Sequence, residues 1–452
     1  MSRDIFEESL QYHAANPPGK IKIMPSKPVK NRYDLSLAYT PGVGGVSKEI
    51  ARDKEAVWKY TNRGNTVAII SDGTAVLGLG NIGPEAGLPV MEGKAVLFKK
   101  FADIDAYPLC LSFDHLTDQH ERMDSFVNAV RVLEPNFGGI NLEDIKAPGC
   151  FELQQKLSEL MDIAVFHDDQ YGTAIVMTAG LINALKVVGK SFENLKIVIN
   201  GAGSAGIACA RLLLNFGVKK EQIFMCDSKG LVVEGRSDLN EHKMEFAVPR
   251  RSEAEATILS LDDVIEGADV FIGVSVAGAL KADSVRKMAK DSIVFAMANP
   301  IPEIMPIEAL SAGARIAATG RSDFPNQINN VLGYPGIFRG VLDTRAKTIN
   351  LEMRVAAVNA ISSIVNEPMD GIVKKLLEKA YPEESMEGLF SNKSGLSENY
   401  ILPKIFDLRV VPRVARFVAD AAIKSGVARV KIDDLESYEK SVFERIVENW
   451  KG

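Results

Sequence analysis

Two acidic pairs and one lysine are the residues of this sequence whose types and spacing most readily suggest chemistry. Glu143-Asp144 closes the run Gly138-Gly-Ile-Asn-Leu-Glu-Asp-Ile145, and Asp168-Asp169 lies in Phe166-His-Asp-Asp-Gln-Tyr-Gly172. Each pair follows a short apolar run, which places it at a strand's C-terminal end, where open α/β sheets bind ligands. Carboxylates converging there repel unless a cation neutralises them, and oxygen ligands with open positions suit Mg²⁺ or Mn²⁺ rather than zinc. Two solvated loop ends would show the same spacing. Adjacent strand residues point to opposite faces, so joint use of Glu143 and Asp144 requires the backbone to bend between them. His167 reads as a packed or hydrogen-bonded side chain rather than a ligand. Lys94, in Pro89-Val-Met-Glu-Gly-Lys-Ala-Val-Leu-Phe98, directly precedes an apolar run. A half-buried lysine with a lowered pKa can act as a base. Tyr39, in a loop rich in Gly and Pro, is a candidate proton donor to carbon. A snorkelling lysine and a packed tyrosine fit the same positions.

A second constellation is Gly201-Ala202-Gly203-Ser204-Ala205-Gly206. The apolar run Leu195-Lys-Ile-Val-Ile-Asn200 precedes it, a helix begins inside it, and Asp227 falls at the end of the next strand. Such glycines let the backbone turn tightly and approach a pyrophosphate at a helix N-terminus. A tight turn that binds nothing is the alternative. Ser228, Lys229 and Lys243 offer a hydroxyl and cations for a ribose 2′-phosphate, whereas Asp227 alone would favour a free diol.

These residues need strands and helices to position them. Residues 1 to about 30 read as a short helix and a linker rich in Pro and Lys. Glycine-punctuated stretches follow at Tyr39–Gly45, Val67–Gly73 and Leu77–Gly83, where short apolar runs ending in Gly or Asp read as buried parallel strands with functional loops at their ends. Further strands are expected at Ile163–Phe166, Leu195–Asn200, Gln222–Cys226, Asp269–Val274, Ile293–Met297 and Arg315–Ala318. A helix should open at Gly172 and reach about Val188, and another should follow the glycine loop to Phe216. Alternating strands and helices make a doubly wound parallel sheet. The chain then divides into an N-terminal α/β domain (1–164), a Rossmann-like domain (165–329) and a mostly helical segment (330–452) packing back on the first. Val410–Ile423 in that segment is amphipathic.

The whole chain has 452 residues, 53 Lys+Arg against 59 Asp+Glu, and 46% hydrophobic residues. A dispersed net charge of −6 excludes a disordered chain, a collagen-like chain and a dedicated nucleic-acid binder. Cys110, Cys150, Cys209 and Cys226 form no CxxC pair, which points to a reducing compartment. No segment approaches 18 uncharged apolar residues, and the acidic N-terminus is unlike a leader. A cytoplasmic protein is expected, with no membrane partner.

Taken together, several motifs resemble the malic enzymes: Tyr39-Thr-Pro-Gly-Val43, Ser71-Asp-Gly-Thr-Ala-Val-Leu-Gly-Leu-Gly-Asn-Ile-Gly83, Glu92-Gly-Lys94, Asn141-Leu-Glu-Asp144, Phe166-His-Asp-Asp-Gln-Tyr-Gly-Thr-Ala174, Phe295-Ala-Met-Ala-Asn-Pro300 and Phe324-Pro-Asn-Gln-Ile-Asn-Asn-Val-Leu-Gly-Tyr-Pro-Gly336. The length and Arg409-Val-Val-Pro-Arg413 are similar to the short, bacterial-type branch. The resemblance implies oxidative decarboxylation of L-malate to pyruvate and CO₂ with reduction of NADP⁺ or NAD⁺, NADP⁺ being preferred. It implies that Lys94 takes the C2-hydroxyl proton and that Tyr39 protonates the enolate. Glu143, Asp144 and Asp169 would hold Mg²⁺ or Mn²⁺ with Asp168 behind them, and Asn299 and Asn330 would contact malate or the nicotinamide end. A homodimer is expected. Long-type relatives place an arginine at the position of Ala75, so backbone donors around Gly78–Gly83 or another cation must hold the substrate carboxylate. Rival expectations are a 2-hydroxy acid dehydrogenase, a malolactic-type enzyme and a non-catalytic dinucleotide sensor.

Overall fold

The computed structural model describes residues 5–249, 259–369, 371–382 and 395–451. Its first sheet is wholly parallel in the order β2-β1-β3-β4, from β1 (Thr66–Ser71), β2 (Asp105–Cys110), β3 (Gly139–Leu142) and β4 (Ala164–His167). β1 reads Thr-Val-Ala-Ile-Ile-Ser and is buried at every residue, as a strand covered on both faces must be. The helix Asp168–Val188 then carries the chain to a second sheet.

That sheet has the order β10-β9-β8-β5-β6-β7. It comprises β5 (Ile197–Asn200), β6 (Ile223–Asp227), β7 (Gly230–Leu231), β8 (Val270–Gly273), β9 (Ile293–Ala296) and β10 (Ile316–Thr319). Only the two-residue β7 runs antiparallel. Order reverses between β5 and its two neighbours, and the glycine loop leaves β5 at that switch point, where such sheets bind ligands.

Several sequence expectations need correction. Residues 39–45 are not a strand: they turn into the helix Val43–Arg52. Residues 77–83 are a loop pinned by a Val76–Gly80 bridge. β2 was missed because Asp105 and Pro108 interrupt its apolar pattern, and Pro is tolerated at this sheet edge. The helix expected to open at Gly172 begins at Asp168, since two acids in a first turn suit the positive end of the helix dipole. It closes on Gly189 at φ +69°. This 21-residue helix is, by length and composition, apolar enough to cross a membrane, contrary to the sequence reading. Here most of it is buried in the core, including Ile175, Val176, Met177 and Leu181.

The helix Val410–Lys424 packs on both Tyr334–Thr344 and Leu435–Lys451, and these two pack on the helix Pro84–Ala102 beside the first sheet. A polar clasp fixes them. Arg339, buried to 2% exposure, donates from Nε to Asp343 Oδ2 (2.8 Å) and from Nη1 to Asn65 Oδ1 (2.7 Å). Tyr438 Oη donates to Asp343 Oδ2 at 2.7 Å, and Arg445 Nε reaches Asp103 Oδ2 at 2.7 Å. Removing one partner of a buried pair strands the other. Arg339→Met should therefore lower stability by about 3 kcal/mol, read as an earlier urea midpoint at unchanged secondary structure; an unshifted midpoint would show that the clasp holds nothing.

Candidate active site

Lys94 lies within the helix Pro84–Ala102, on the buried face formed by Met91, Ala95, Phe98 and Ala102. Its Nζ donates to Glu143 Oε1 at 2.7 Å and makes a very short bond to Asp168 Oδ2. The Tyr334 ring centre stands 4.1 Å from Nζ. Burial alone would lower the lysine's pKa, but Asp168 and Glu143 outweigh it and hold the value well above normal. The expectation of a lowered pKa is thus corrected: in this arrangement Lys94 is an ammonium, because the sequence did not show that it is buried between two acids.

The carboxylates come from the ends of adjacent strands. Glu143 and Asp144 follow β3, whereas Asp168 and Asp169 follow β4. Asp144 adopts φ +55°, so the bend required for Glu143 and Asp144 to act together is present. The bend is braced by Ala75 N–H donating to the Asp144 carbonyl (2.9 Å) and Leu77 N–H reaching Asp144 Oδ1 (3.4 Å). Asp144 N–H in turn donates to Asp169 Oδ2 at 2.7 Å. Asn141 Nδ2 donates to Glu143 Oε2 at 2.8 Å, and Asn330 Nδ2 donates to Asp168 Oδ2 at 3.1 Å. Gly172 makes room for this: a Cβ there would lie 1.8 Å from Asp168 Oδ1.

Burial pushes all four carboxyls upward, and mutual repulsion adds to it at Glu143, Asp144 and Asp168; Asp144 is pushed up to about 7. One ammonium does not balance four acids. Among the described residues, no group of three or more His, Cys, Asp or Glu side chains stands arranged to hold a metal ion. Glu143 is turned to Lys94 and Asp169 to the Asp144 amide. The donor set nonetheless fits a divalent cation. Asp144 Oδ2 and Asp168 Oδ1 are buried without hydrogen-bond partners, and hard carboxylate oxygens suit Mg²⁺ or Mn²⁺. His167 is a packed, neutral imidazole pulled down to about 4 by burial.

Not every expected residue joins the cluster. Tyr39 is 68% exposed beyond the helix Arg32–Ala38, and no hydrogen bond ties its side chain to Lys94 among the described residues. Asn299 lies across the interdomain gap, its carbonyl oxygen 2.1 Å from where a Gly78 Cβ would be. Asn141, Tyr334 and Gly172 were not singled out for these roles. Their signal was present only as neighbours within the motifs.

The glycine loop is tightly folded at one end and open at the other. A Cβ on Gly206 would sit 1.8 Å from the Gly201 carbonyl oxygen, whereas one on Gly203 would meet open space. The open side faces a groove of about 800 Å³ lined by Gly201, Ala202 and Gly203, by Asp227, Ser228, Lys229 and Lys243, and by Ala147, Pro148 and Phe151 of the first domain. Ser204 and Ala205 open the helix Ser204–Leu214. Asp227 accepts from Lys243 Nζ (2.8 Å) and from Arg236 Nη2 (2.9 Å), and these bonds overcome its burial to lower its pKa. Lys229 Nζ pairs with Asp238 at 3.1 Å. Arg236 was missed by the sequence reading, which looked for lysines alone.

A switch-point glycine loop together with a buried lysine–carboxylate centre defines a dinucleotide-dependent oxidoreductase. Residues 18–158 match the malic enzyme N-terminal domain and residues 170–379 the malic enzyme NAD-binding domain. The bifunctional malic/malolactic enzyme of Bacillus subtilis is 52% identical over 96% of this chain and 97% of its own length. The NADP-dependent malic enzyme of Rhizobium meliloti is 50% identical over 96% of this chain, which spans only 54% of that protein. The crystal structure of malic enzyme from Pyrococcus horikoshii aligns with a TM-score of 0.82 and 43% identity, covering 99% of this chain and 96% of that one. The chain belongs to the malic enzyme family.

An acid whose folded pKa lies above its unfolded value costs stability when ionised, so stability rises as pH falls through the folded value. Chelator-treated protein should therefore melt higher at pH 6 than at pH 8, across the Asp144 value of about 7, and Mg²⁺ should raise the melting temperature more at pH 8. Equal Mg²⁺ shifts at both pH values would contradict this account of the cluster.

Proposed function

We propose that this chain converts L-malate to pyruvate and CO₂ with reduction of NADP⁺ in preference to NAD⁺, using Mg²⁺ or Mn²⁺. The observation that carries the reading is the buried Lys94 between Glu143 and Asp168, in a chain whose glycine loop opens onto a dinucleotide-sized groove. When bound, the dinucleotide supplies hydride acceptance, and a divalent cation supplies an electron sink beside C2 for loss of the β-carboxylate. Glu143, Asp144 and Asp169 would hold the cation. Lys94, once its proton passes to Asp168, accepts the C2-hydroxyl proton. Asn330 holds Asp168 in place for this exchange, and Asn299 bounds the nicotinamide end. Tyr39 returns a proton to C3 of the enolate.

For that last role Tyr39 must be brought to the cluster. The N-terminal arm exposes Ile23, Met24, Tyr33, Leu35 and Leu37 as well as Tyr39, more apolar surface than a lone chain would present to water. A homodimer in which the arm is covered by a second copy fits this surface. For the cofactor, Arg236 and Lys243 offset the charge of Asp227, which leaves Ser228 and Lys229 to meet a 2′-phosphate; charge-assisted bonds contribute about 1.5–3 kcal/mol each.

The assay is malate with Mn²⁺ and either dinucleotide, following reduced cofactor and pyruvate. Lys94→Ala should lose at least a thousandfold in kcat, and Asp169→Asn should raise the Mn²⁺ requirement tenfold or more. Lactate formed without net dinucleotide reduction would instead support a malolactic-type reaction, and full turnover in excess EDTA would rule out the metal. Lys243→Ala should raise the KM for NADP⁺ more than that for NAD⁺; parallel changes would defeat the NADP⁺ assignment alone.

A further inference from the structure

The helix that opens with Asp168-Asp169 and the helix that opens on the glycine loop pack side by side, and the helix Leu351–Ile364 packs on the former. Between them lies a pocket of about 240 Å³, separate from the dinucleotide groove, lined by Gln170, Tyr171, Arg211, Asn215, Leu351 and Arg354 among others. Its two cations differ in their pairing. Arg211 Nε donates to Glu245 Oε2 at 2.8 Å, and its Nη2 lies 3.1 Å from His242 Nδ1. The Arg354 guanidinium lies 4.3 Å from the centre of the Tyr171 ring, and its Nε reaches the Asn350 carbonyl at 3.4 Å. Among the described residues no carboxylate lies within 4.0 Å of Arg354. Tyr171 also bonds to it and Glu352 acts on it at longer range, but a mostly desolvated guanidinium with no carboxylate in contact is poised for an anion, because its planar fork matches carboxylate and phosphate oxygens. The volume is below the usual range for nucleotide- or drug-sized ligands.

We propose that this pocket binds a small free oxyanion, a carboxylate or inorganic phosphate, between Arg354 and Arg211, and that the bound anion weakens dinucleotide binding. The coupling route is physical. His242 lines the dinucleotide groove and stacks on Phe151 with ring centres 4.1 Å apart. The next residue, Lys243, holds Asp227. Both belong to the short helix Glu241–Met244, which Arg211 tethers through His242 and, just beyond its end, through Glu245. An anion that draws Arg211 into the pocket releases that tether and loosens the adenosine end of the groove. Linkage requires the dinucleotide to weaken anion binding by the same factor.

The test is calorimetric titration of inorganic phosphate, and separately of succinate, into the full chain, free and saturated with NADP⁺. Saturation blocks the glycine loop and the 2′-phosphate contacts but leaves the malate site open to succinate, so the pocket is reported by the part of the heat that the Arg354 variants lose. The wild type should bind at least one of the two anions at about one per chain in both states. Which anion binds tighter identifies the source chemistry. Arg354→Gln should weaken binding at least tenfold, with Arg354→Lys intermediate; the lysine variant also serves if the glutamine variant does not fold. The dissociation constant for NADP⁺ should rise about fivefold with the anion in wild type and not in Arg354→Gln. Equal binding by wild type and both variants, or binding that vanishes on NADP⁺ saturation, would overturn the proposal. If NADP⁺ itself does not bind, the comparison of wild type with the Arg354 variants in the free chain still decides whether the pocket takes an anion.

Discussion

One buried ammonium set among four carboxylates is the constraint on which the arrangement of this protein depends. Unit charges about 4 Å apart interact by ~4 kcal/mol at an effective dielectric of 20, so the way these five groups are spaced outweighs any single packing contact. Lys94 offsets part of the repulsion, and Asn141 and Asn330 add donors to Glu143 and Asp168. The Asp144 amide takes up Asp169. What remains is an excess of acids over cations, with Asp144 Oδ2 and Asp168 Oδ1 left without partners in a space where burial works against their charge.

Much of the surrounding backbone follows from holding those groups. Asp144 enters the left-handed region so that successive side chains serve one place. Gly172 is the residue that lets Asp168 fold back toward Lys94, because any side chain there would occupy the position of its oxygen. Tyr334 presents an aromatic face to the ammonium and packs its other edge on Phe98, 4.7 Å between ring centres. In this way the start of the C-terminal helical segment is tied to the helix Pro84–Ala102, and the Arg339 clasp extends the tie to the helix Leu435–Lys451.

The same helices also connect the two halves of the site. The helix Asp168–Val188 begins in the acidic cluster and packs along the helix Ser204–Leu214, which opens on the glycine loop, so the carboxylate pair and the loop are carried by two helices in direct contact. The second sheet supplies most of the groove, and Ala147, Pro148 and Phe151, which follow the acids ending β3 in sequence, line its other side.

The local chemistry was legible in the sequence. The glycine loop, Asp227 after the next strand, and acids at strand ends all follow from period, turn residues and strand polarity, which are properties of neighbouring residues. The motifs from Tyr39 to Tyr334 were enough to point to the family. Other features are set by residues far apart in the chain and emerged only in three dimensions. Lys94 meets Glu143 and Asp168 from 49 and 74 residues away, and that pairing reverses the direction expected for its pKa. Arg236 is brought to Asp227 by a turn whose closure no periodicity announces. Tyr39 looked like part of the cluster by motif, yet folding leaves it on an exposed arm, since a single chain's burial is decided by what packs over a segment and not by the segment's own residues. Sequence determined which groups are available and on which element each lies; tertiary structure decided which charges share a low-dielectric space, and therefore which of them carry protons.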